Sequence, residues 1–182
     1  MAAYIAMLRG INVSGHKPVK MDKLRASFEK LGFANVSTYV QSGNVIFETA
    51  RGSEAQLQAK IEGKILADFD LSVPVVLRAA KELGDVIEHN PLAKDASLDH
   101  SKLHVTFLSV TCPEKARDLI LPLAVPGEQV YANGREIYLY CPHGYGISKL
   151  SNTAIEKKLA VRATTRNWKT VNALLALTSQ RQ

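Results

Sequence analysis

The chain has 182 residues, of which 46% are hydrophobic and 22% are charged, and this composition excludes a disordered or low-complexity protein. The whole net charge of +6 arises in the last quarter. Residues 1–134 contain 15 Lys and Arg and 15 Asp and Glu, whereas residues 135–182 contain 8 and 2. A basic surplus of this kind favours anionic partners.

The cysteine content and the N-terminus indicate the compartment. Cys112 and Cys141 are the two cysteines, and neither stands at a metal-ligand spacing, which is typical of a reducing environment. Residues 1–9 lack the basic start of a signal peptide, and no apolar run reaches the ~18 residues of a membrane span. We therefore expect a cytoplasmic protein without a membrane partner.

The first half of the chain shows a regular alternation of periodicities. Apolar and alternating runs predict strands at residues 3–8, 36–41, 45–49 and 72–78. Helical spacing predicts one helix over 21–31 and another after the capping box Ser53-Glu54-Ala55-Gln56. The resulting order, β-α-β-β-α-β, is that of a ferredoxin-like unit.

The second half repeats this rhythm after a predicted helix at 79–89 and a polar linker at 90–101. It contains predicted strands at 102–110, 129–132 and 136–141 and predicted helices at 113–121, 151–160 and 167–178. The fold class is therefore α+β, with two ferredoxin-like (βαββαβ-type) modules at 1–89 and 102–182. The second module is expected to end in two helices where the first has a strand.

The loop at residues 9–18 leaves a strand and enters a helix. Gly10 and Gly15 permit positive φ, so consecutive amides of the loop could converge on an anion. Lys17, Lys20 and Lys23 crowd the same helix start, where a positive helix end already disfavours cations. The loop is therefore a candidate anion site, and a plain connection with solvated lysines is the alternative.

Two later segments also place cations at predicted helix starts. Residues 141–149 join a strand to a helix through glycines, with Lys149 at the helix entry. His143 and Tyr145 are candidates for acid–base chemistry or stacking, and plain loop residues are the alternative. In the segment 163–169, Arg166 offers a planar fork suited to phosphate or carboxylate, with an internal ion pair as the alternative. Thr165 or Asn167 can cap the last helix.

Catalytic and metal motifs are not found. The five histidines show no paired spacing, so we expect no metal and no cofactor. Ser14-Gly15-His16-Lys17 fits Ser-x-x-Lys without its companion motifs, and no nucleophile–base pair can be assembled from spacing. The catalytic residues are therefore unassigned, although polar loops at strand ends leave an enzyme open.

Several segments together resemble a bacterial family called domain of unknown function 1697. They are Leu8-Arg9-Gly10-Ile11-Asn12-Val13, Thr38-Tyr39-Val40-Gln41-Ser42-Gly43-Asn44-Val45-Ile46-Phe47, Asn90-Pro91, Ile137-Tyr138-Leu139-Tyr140, Ser148-Lys149-Leu150 and Ala163-Thr164-Thr165-Arg166-Asn167-Trp168-Lys169-Thr170-Val171. Ser14 and Leu92 depart from the family pattern, which would have a glycine and an aromatic residue there. The resemblance implies two ferredoxin-like modules and no established activity, substrate or catalytic residue.

The positions that match the family pattern are mostly polar, which favours a shared binding site over packing. With Lys17 from the basic loop, the candidate ligand-binding residues are Arg9, Asn12, Lys17, Gln41, Ser42, Asn44, Lys149, Arg166 and Asn167. Our leading hypothesis is a phosphate-bearing anionic ligand bound in a cleft between the modules. One alternative is an RNA-binding module that uses the basic C-terminal quarter. The other is a structural or protein-interaction role without a ligand.

Overall fold

The structure is a computed structural model that describes residues 1–180. Within these residues it is a mixed α/β protein with two four-stranded antiparallel sheets and six α-helices. The chain divides into two compact units. The first contains residues 1–83 together with the C-terminal segment from Leu174, and the second contains residues 84–173.

The first unit contains one complete sheet with two helices between its strands. In chain order its elements are β1 (Ala2–Leu8), α1 (Met21–Lys30), β2 (Ala34–Tyr39), β3 (Asn44–Thr49), α2 (Glu54–Phe69) and β4 (Val75–Ala79). The sheet order is β2-β3-β1-β4, so β1 pairs with both β3 and β4. The C-terminal end of β1 therefore lies beside the start of β4, with Leu8 opposite Val75. The β2–β3 turn also lies close to the loop that follows β1.

Both faces of this sheet are buried. Alternate residues of β1 explain this, because Ala6 and Leu8 belong to the core packed under α1 and α2, whereas Ile5 and Met7 are buried on the other face. The helices are fixed by local signals that the sequence contains. The predicted capping box at Ser53 and Gln56 is confirmed, with hydrogen bonds of 2.9 and 3.3 Å between the two residues.

The second unit has a sheet of the same order, β6-β7-β5-β8. The elements from the unit boundary onwards are α3 (Ala80–Glu88), β5 (Leu103–Leu108), α4 (Ala116–Ile120), β6 (Gln129–Asn133), β7 (Glu136–Tyr140), α5 (Asn152–Leu159), β8 (Ala163–Asn167) and α6 (Trp168–Ser179). The units divide within α3, between Leu83 and Gly84. Residues 90–101, predicted as a linker, fall inside the second unit and contain short 3-10 helices at Leu92–Lys94 and His100–Lys102.

One fold prediction for the second module is wrong. The module was expected to end in two helices without a fourth strand, but β8 lies between α5 and α6 and pairs with β5 from His104↔Asn167 to Leu108↔Ala163. The threonines of this segment can cap a helix, yet β-branched residues also favour strands. Pairing with β5 decided between the two, and only Asn167 acts as the cap.

Candidate functional site

The loop after β1 forms a small protruding hairpin, which we call the finger (residues 12–19). Its tip is the turn Val13-Ser14-Gly15-His16, in which the His16 amide donates to the Val13 carbonyl at 2.8 Å. Ser14 and Gly15 have φ values of 49° and 76°, and two consecutive positive φ values are those of a type I′ turn. All four tip residues are exposed.

The base of the finger is held by Asn12. Its side-chain oxygen accepts from the Val19 amide at 2.7 Å, and its nitrogen donates to the carbonyls of Val19 at 2.9 Å and Gln41 at 2.8 Å. Both N–H groups of the side-chain amide are therefore used. Asn12 joins the finger to the β2–β3 turn, and its side chain has no donor left for a ligand.

Three backbone amides of this loop, which were expected to face an anion, make hydrogen bonds within the protein. The Asn12 amide donates to the Lys17 carbonyl at 3.0 Å, and the Arg9 amide donates to the Pro74 carbonyl at 2.9 Å. Together with the His16 amide, these groups bind carbonyl oxygens of the protein. Hairpin formation therefore uses these groups, and an anion bound by this loop stays a prediction.

The β2–β3 turn packs tightly against Leu8 and Ile11, just before the finger. A Cβ atom on Gly43 would lie 2.5 Å from Cδ1 of Ile11 and 3.0 Å from Cβ of Leu8, and the φ of Gly43 is +84°. Asn44 is fully buried and its side chain donates to the Tyr39 carbonyl at 2.9 Å and to Oγ of Ser42 at 3.2 Å. Asn44 thus shapes the turn, while Gln41 and Ser42 are exposed beside the finger.

Backbone strain is concentrated in this loop and turn. Positive φ values occur at Asn12, Ser14 and Lys17 of the finger and at Val40 of the turn. Val40, with φ 51°, is the most informative because β-branched residues are genuine outliers there. Strained residues persist where the surrounding structure holds them, and they cluster at binding and catalytic sites.

The sequences of the finger and of the β2–β3 turn contain basic but no acidic residues. The sequence has no Asp or Glu in residues 1–21 or in 31–47, whereas Arg9, Lys17 and Lys20 lie in the first stretch. Lys17 is half-buried and its ammonium donates to the Ser72 carbonyl at 2.8 Å, which ties the finger to the segment before β4. Lys20 is exposed at the N-cap of α1, without a side-chain capping bond.

The remaining predicted residues, Lys149, Arg166 and Asn167, belong to the second unit. Arg166 of β8 is 6% exposed, and its Nη1 donates to Oγ1 of Thr164 at 2.8 Å and to the Thr165 carbonyl at 3.0 Å. Burial lowers the pKa of Arg166 to about 10, so it remains a cation at neutral pH. Lys149 is exposed. Oδ1 of Asn167 accepts from the Thr170 amide at 2.8 Å, and this bond confirms Asn167 as the cap of α6.

Two notable residues escaped the sequence analysis. Arg78 of β4 is 1% exposed, yet an arginine in a valine-rich strand gave no signal of burial. His104 of β5 stacks on Tyr145, with ring centroids 4.8 Å apart, and burial lowers its pKa. Alternation in β5 predicted the strand but could not predict a partner 41 positions away.

Among residues 1–180, no group of three or more His, Cys, Asp or Glu side chains is arranged to hold a metal ion. No helix in the described part of the chain combines the length and the apolar character needed to cross a bilayer.

The fold and the matched segments define a protein class, and comparison with known proteins agrees with the sequence resemblance. The chain belongs to the family described as Protein of unknown function (DUF1697), whose profile matches residues 1–138. Its fold is similar to that of the conserved bacterial protein SP0830 from Streptococcus pneumoniae. That likeness has a TM-score of 0.69 and 23% identity, and covers 96% of this chain and 97% of the other. No curated protein matches the sequence.

Proposed function

We propose that the protein binds a phosphate-bearing anion at the finger of the first unit, with Arg9 and Lys20 supplying the charge. The observation that supports this most is that strained backbone coincides with stretches of sequence that contain basic residues and no acidic ones. The finger and the β2–β3 turn hold four of the non-glycine residues with positive φ, and no acidic residue occurs in 1–21 or 31–47. Strain held in place beside cations is what a preorganised anion site requires.

The hydrogen bonds of the finger define the role of each neighbour. Asn12 and Asn44 stabilise the loop and the turn, because their side-chain N–H groups donate to carbonyl and hydroxyl groups of the protein. Gln41 and Ser42 are exposed next to them and are proposed to contact the ligand. Lys17 contributes charge while holding the finger against Ser72.

A structural role without a ligand is favoured for part of the predicted set. Asn12, Asn44 and Asn167 all use their side chains for turns or caps within their own units. Lys149 and Arg166 of the second unit stay predicted ligand contacts, and their substitution tests them separately.

We also infer that each unit is ferredoxin-like. The first unit has the order β-α-β-β-α-β, and in both sheets the first strand of the unit lies between the third and the fourth. This is the arrangement expected of a split βαβ motif. Such modules present loops at strand ends for binding, as the finger after β1 does.

The test is a thermal-shift panel of inorganic phosphate, nucleotides and phosphorylated sugars. A ligand at 100 times its Kd should stabilise the protein by about 2.7 kcal/mol. Arg9→Gln should remove the shift, and Arg51→Gln, which neutralises an exposed arginine in another loop, should retain it. A panel that leaves the melting temperature of the wild type unchanged would refute phosphate binding.

A further inference from the structure

The lysines that continue from the finger lie in a row on one side of α1. Lys23 and Lys30 are seven residues apart, which is close to two helical turns, and Lys20 is three residues before Lys23. All three are exposed. We call these residues the lysine row, and at 1.5 Å per residue it runs for about 15 Å.

Charge is segregated around this helix. At about 100° per residue, Asp22 and Glu29 each lie about 100° away from the lysine that follows them in the sequence. Glu29 is paired with Arg25 at 3.5 Å, on the side of the helix away from the lysine row. The acids of α1 therefore lie off the lysine row, and Asp68 of α2 is an acid whose carboxyl interacts electrostatically with Lys30.

A groove runs beside the row, between α1 and α2. It has a volume of about 570 Å³, within the range of sites that hold small molecules or single bases. Its lining includes two lysines of the row and one aromatic ring, and consists of Lys23, Ala26, Ser27, Lys30, Ala67, Asp68 and Phe69. Phe69 is half-buried and packs against the core of the first unit.

The floor of the groove is an ordered polar network. Oγ of the buried Ser27 donates to Oδ2 of Asp68 at 2.6 Å, and Nζ of Lys64 donates to Oδ1 at 2.8 Å. Hydrogen bonds from Lys64 and Ser27 hold the pKa of the Asp68 carboxyl below its ordinary value, so it is an ionised acceptor at neutral pH. Each carboxylate oxygen keeps a further lone pair.

We propose that the lysine row and the α1–α2 groove bind single-stranded nucleic acid, with phosphates along the row and a base in the groove beside Phe69. This rests on the proposed function, since it names the phosphate-bearing partner and extends its site from the finger. One compact phosphate cannot contact cations spread over about 15 Å, whereas a chain of phosphates can.

The groove distinguishes a nucleic acid from an acidic peptide. A Glu or Asp side chain entering it would meet the Asp68 carboxylate and be repelled. A neutral base meets the same carboxylate as an acceptor for its amino group, as Asp and Glu accept from cytosine in other complexes. The aromatic ring of Phe69 offers a surface on which any base can stack.

The experiment measures binding of a fluorescein-labelled single-stranded RNA 12-mer by anisotropy at several salt concentrations. In Lys23→Gln/Lys30→Gln, we expect affinity to fall about tenfold or more at 0.1 M salt. The slope of log K against log salt should become shallower by about 1.4, since each phosphate contact on a single strand contributes about 0.7. The control Arg25→Gln/Lys81→Gln removes the same charge from exposed positions outside the groove and should bind like the wild type.

The groove is tested by Phe69→Leu, which retains an apolar side chain for the core but removes the ring. Its affinity for RNA should fall about tenfold with an unchanged salt slope, because stacking and not phosphate contact is lost. Circular dichroism and melting temperature establish that each variant is folded.

The outcomes separate this inference from the proposed function. The inference is overturned if Lys23→Gln/Lys30→Gln binds RNA with the affinity of the wild type and with the same slope of log K against log salt. Binding of phosphate or mononucleotides without binding of RNA also overturns it, and leaves the anion site at the finger intact. Binding of poly-glutamate with no binding of RNA would replace nucleic acid by an acidic protein partner.

Discussion

Arg78 of the first unit and Arg166 of the second occupy the same position in their respective sheets. Arg78 pairs with Ile5 of β1 and Arg166 pairs with Val105 of β5. Each is the fourth residue of the fourth strand of its sheet. Both are buried, with 1% and 6% of their surface exposed.

Each of the two guanidinium groups makes a hydrogen bond of the same kind. Nη1 of Arg78 donates to the Leu77 carbonyl at 2.7 Å, and Nη1 of Arg166 donates to the Thr165 carbonyl at 3.0 Å. In both units the arginine therefore bends back to the residue before it. The two units therefore share their strand order and also a buried arginine that bonds to the carbonyl of the preceding residue.

Arg166→Ala should destabilise the protein by about 2–4 kcal/mol, because a large buried side chain is removed and a cavity remains. Arg166→Met keeps most of the volume and should cost about 1–2 kcal/mol, mainly from hydrogen bonds lost at Thr164 and Thr165. Urea unfolding measures both. Arg162→Ala, at an exposed position just before β8, should stay within about 0.5 kcal/mol of the wild type.

The same variants separate a structural Arg166 from a ligand contact. If Arg166 only supports the second unit, Arg166→Met stays folded and the thermal shift produced by a ligand is unchanged. Loss of that shift in a folded Arg166→Met protein would instead assign the guanidinium to ligand binding.

Gly43→Ala should destabilise the first unit. The added methyl group would lie 2.5 Å from Cδ1 of Ile11, and alanine is strained at a φ of +84°. We expect a loss of about 1–3 kcal/mol and a weaker anion response, since the turn holds the finger. Gly63→Ala is the matched control: it lies within α2 with no atom within 4 Å of the new Cβ, and should stabilise by about 0.5–1 kcal/mol.

Asn12→Ala should detach the finger from the β2–β3 turn. Three hydrogen bonds, to both backbone groups of Val19 and to the Gln41 carbonyl, are lost, at an expected cost of about 1–3 kcal/mol. Hydrogen exchange of the Val19 amide should accelerate. Asn172→Ala, which removes an exposed side-chain bond to the Trp168 carbonyl within α6, should change stability little. An unchanged Val19 exchange rate in Asn12→Ala would contradict the role of Asn12.

Local sequence signals predicted most of this architecture. Periodicity, the capping box at Ser53 and the polar turns identified the strands and helices of the first unit and α3, α5 and α6 of the second. The error at β8 arose because Thr165 fits both a helix cap and a strand, and only pairing with β5 selects the strand.

The candidate site was harder to predict from the sequence than the fold was. Gly15 and Lys17 drew attention to the finger, but whether an amide faces a ligand or a carbonyl depends on how the loop closes. Arg78 lies on β4, an edge strand of its sheet, so its burial depends on tertiary packing that local sequence signals do not show. The equivalence of Arg78 and Arg166 has no sequence counterpart, since their neighbours are Leu77 and Ala79 in one strand and Thr165 and Asn167 in the other.

His104 should make the free energy of unfolding depend on pH below neutrality. Burial lowers its pKa from 6.5, and this effect outweighs the hydrogen bond to the Lys102 carbonyl at 3.4 Å. The unfolded chain therefore binds more protons than the folded one as pH falls through 6.5. Stability is greatest above that value and decreases as pH falls towards 5, before the carboxylates titrate.

His104→Phe keeps an aromatic ring against Tyr145 but removes the proton site, so its stability should change less between pH 7.5 and 5. Urea unfolding at intervals of half a pH unit measures the slope. His100→Gln removes an exposed imidazole from the same unit, and its profile should follow the wild type. Equal slopes in wild type and His104→Phe would show that the proton uptake on unfolding belongs to another group, and that the His104–Tyr145 stack does not exclude the protonated imidazole.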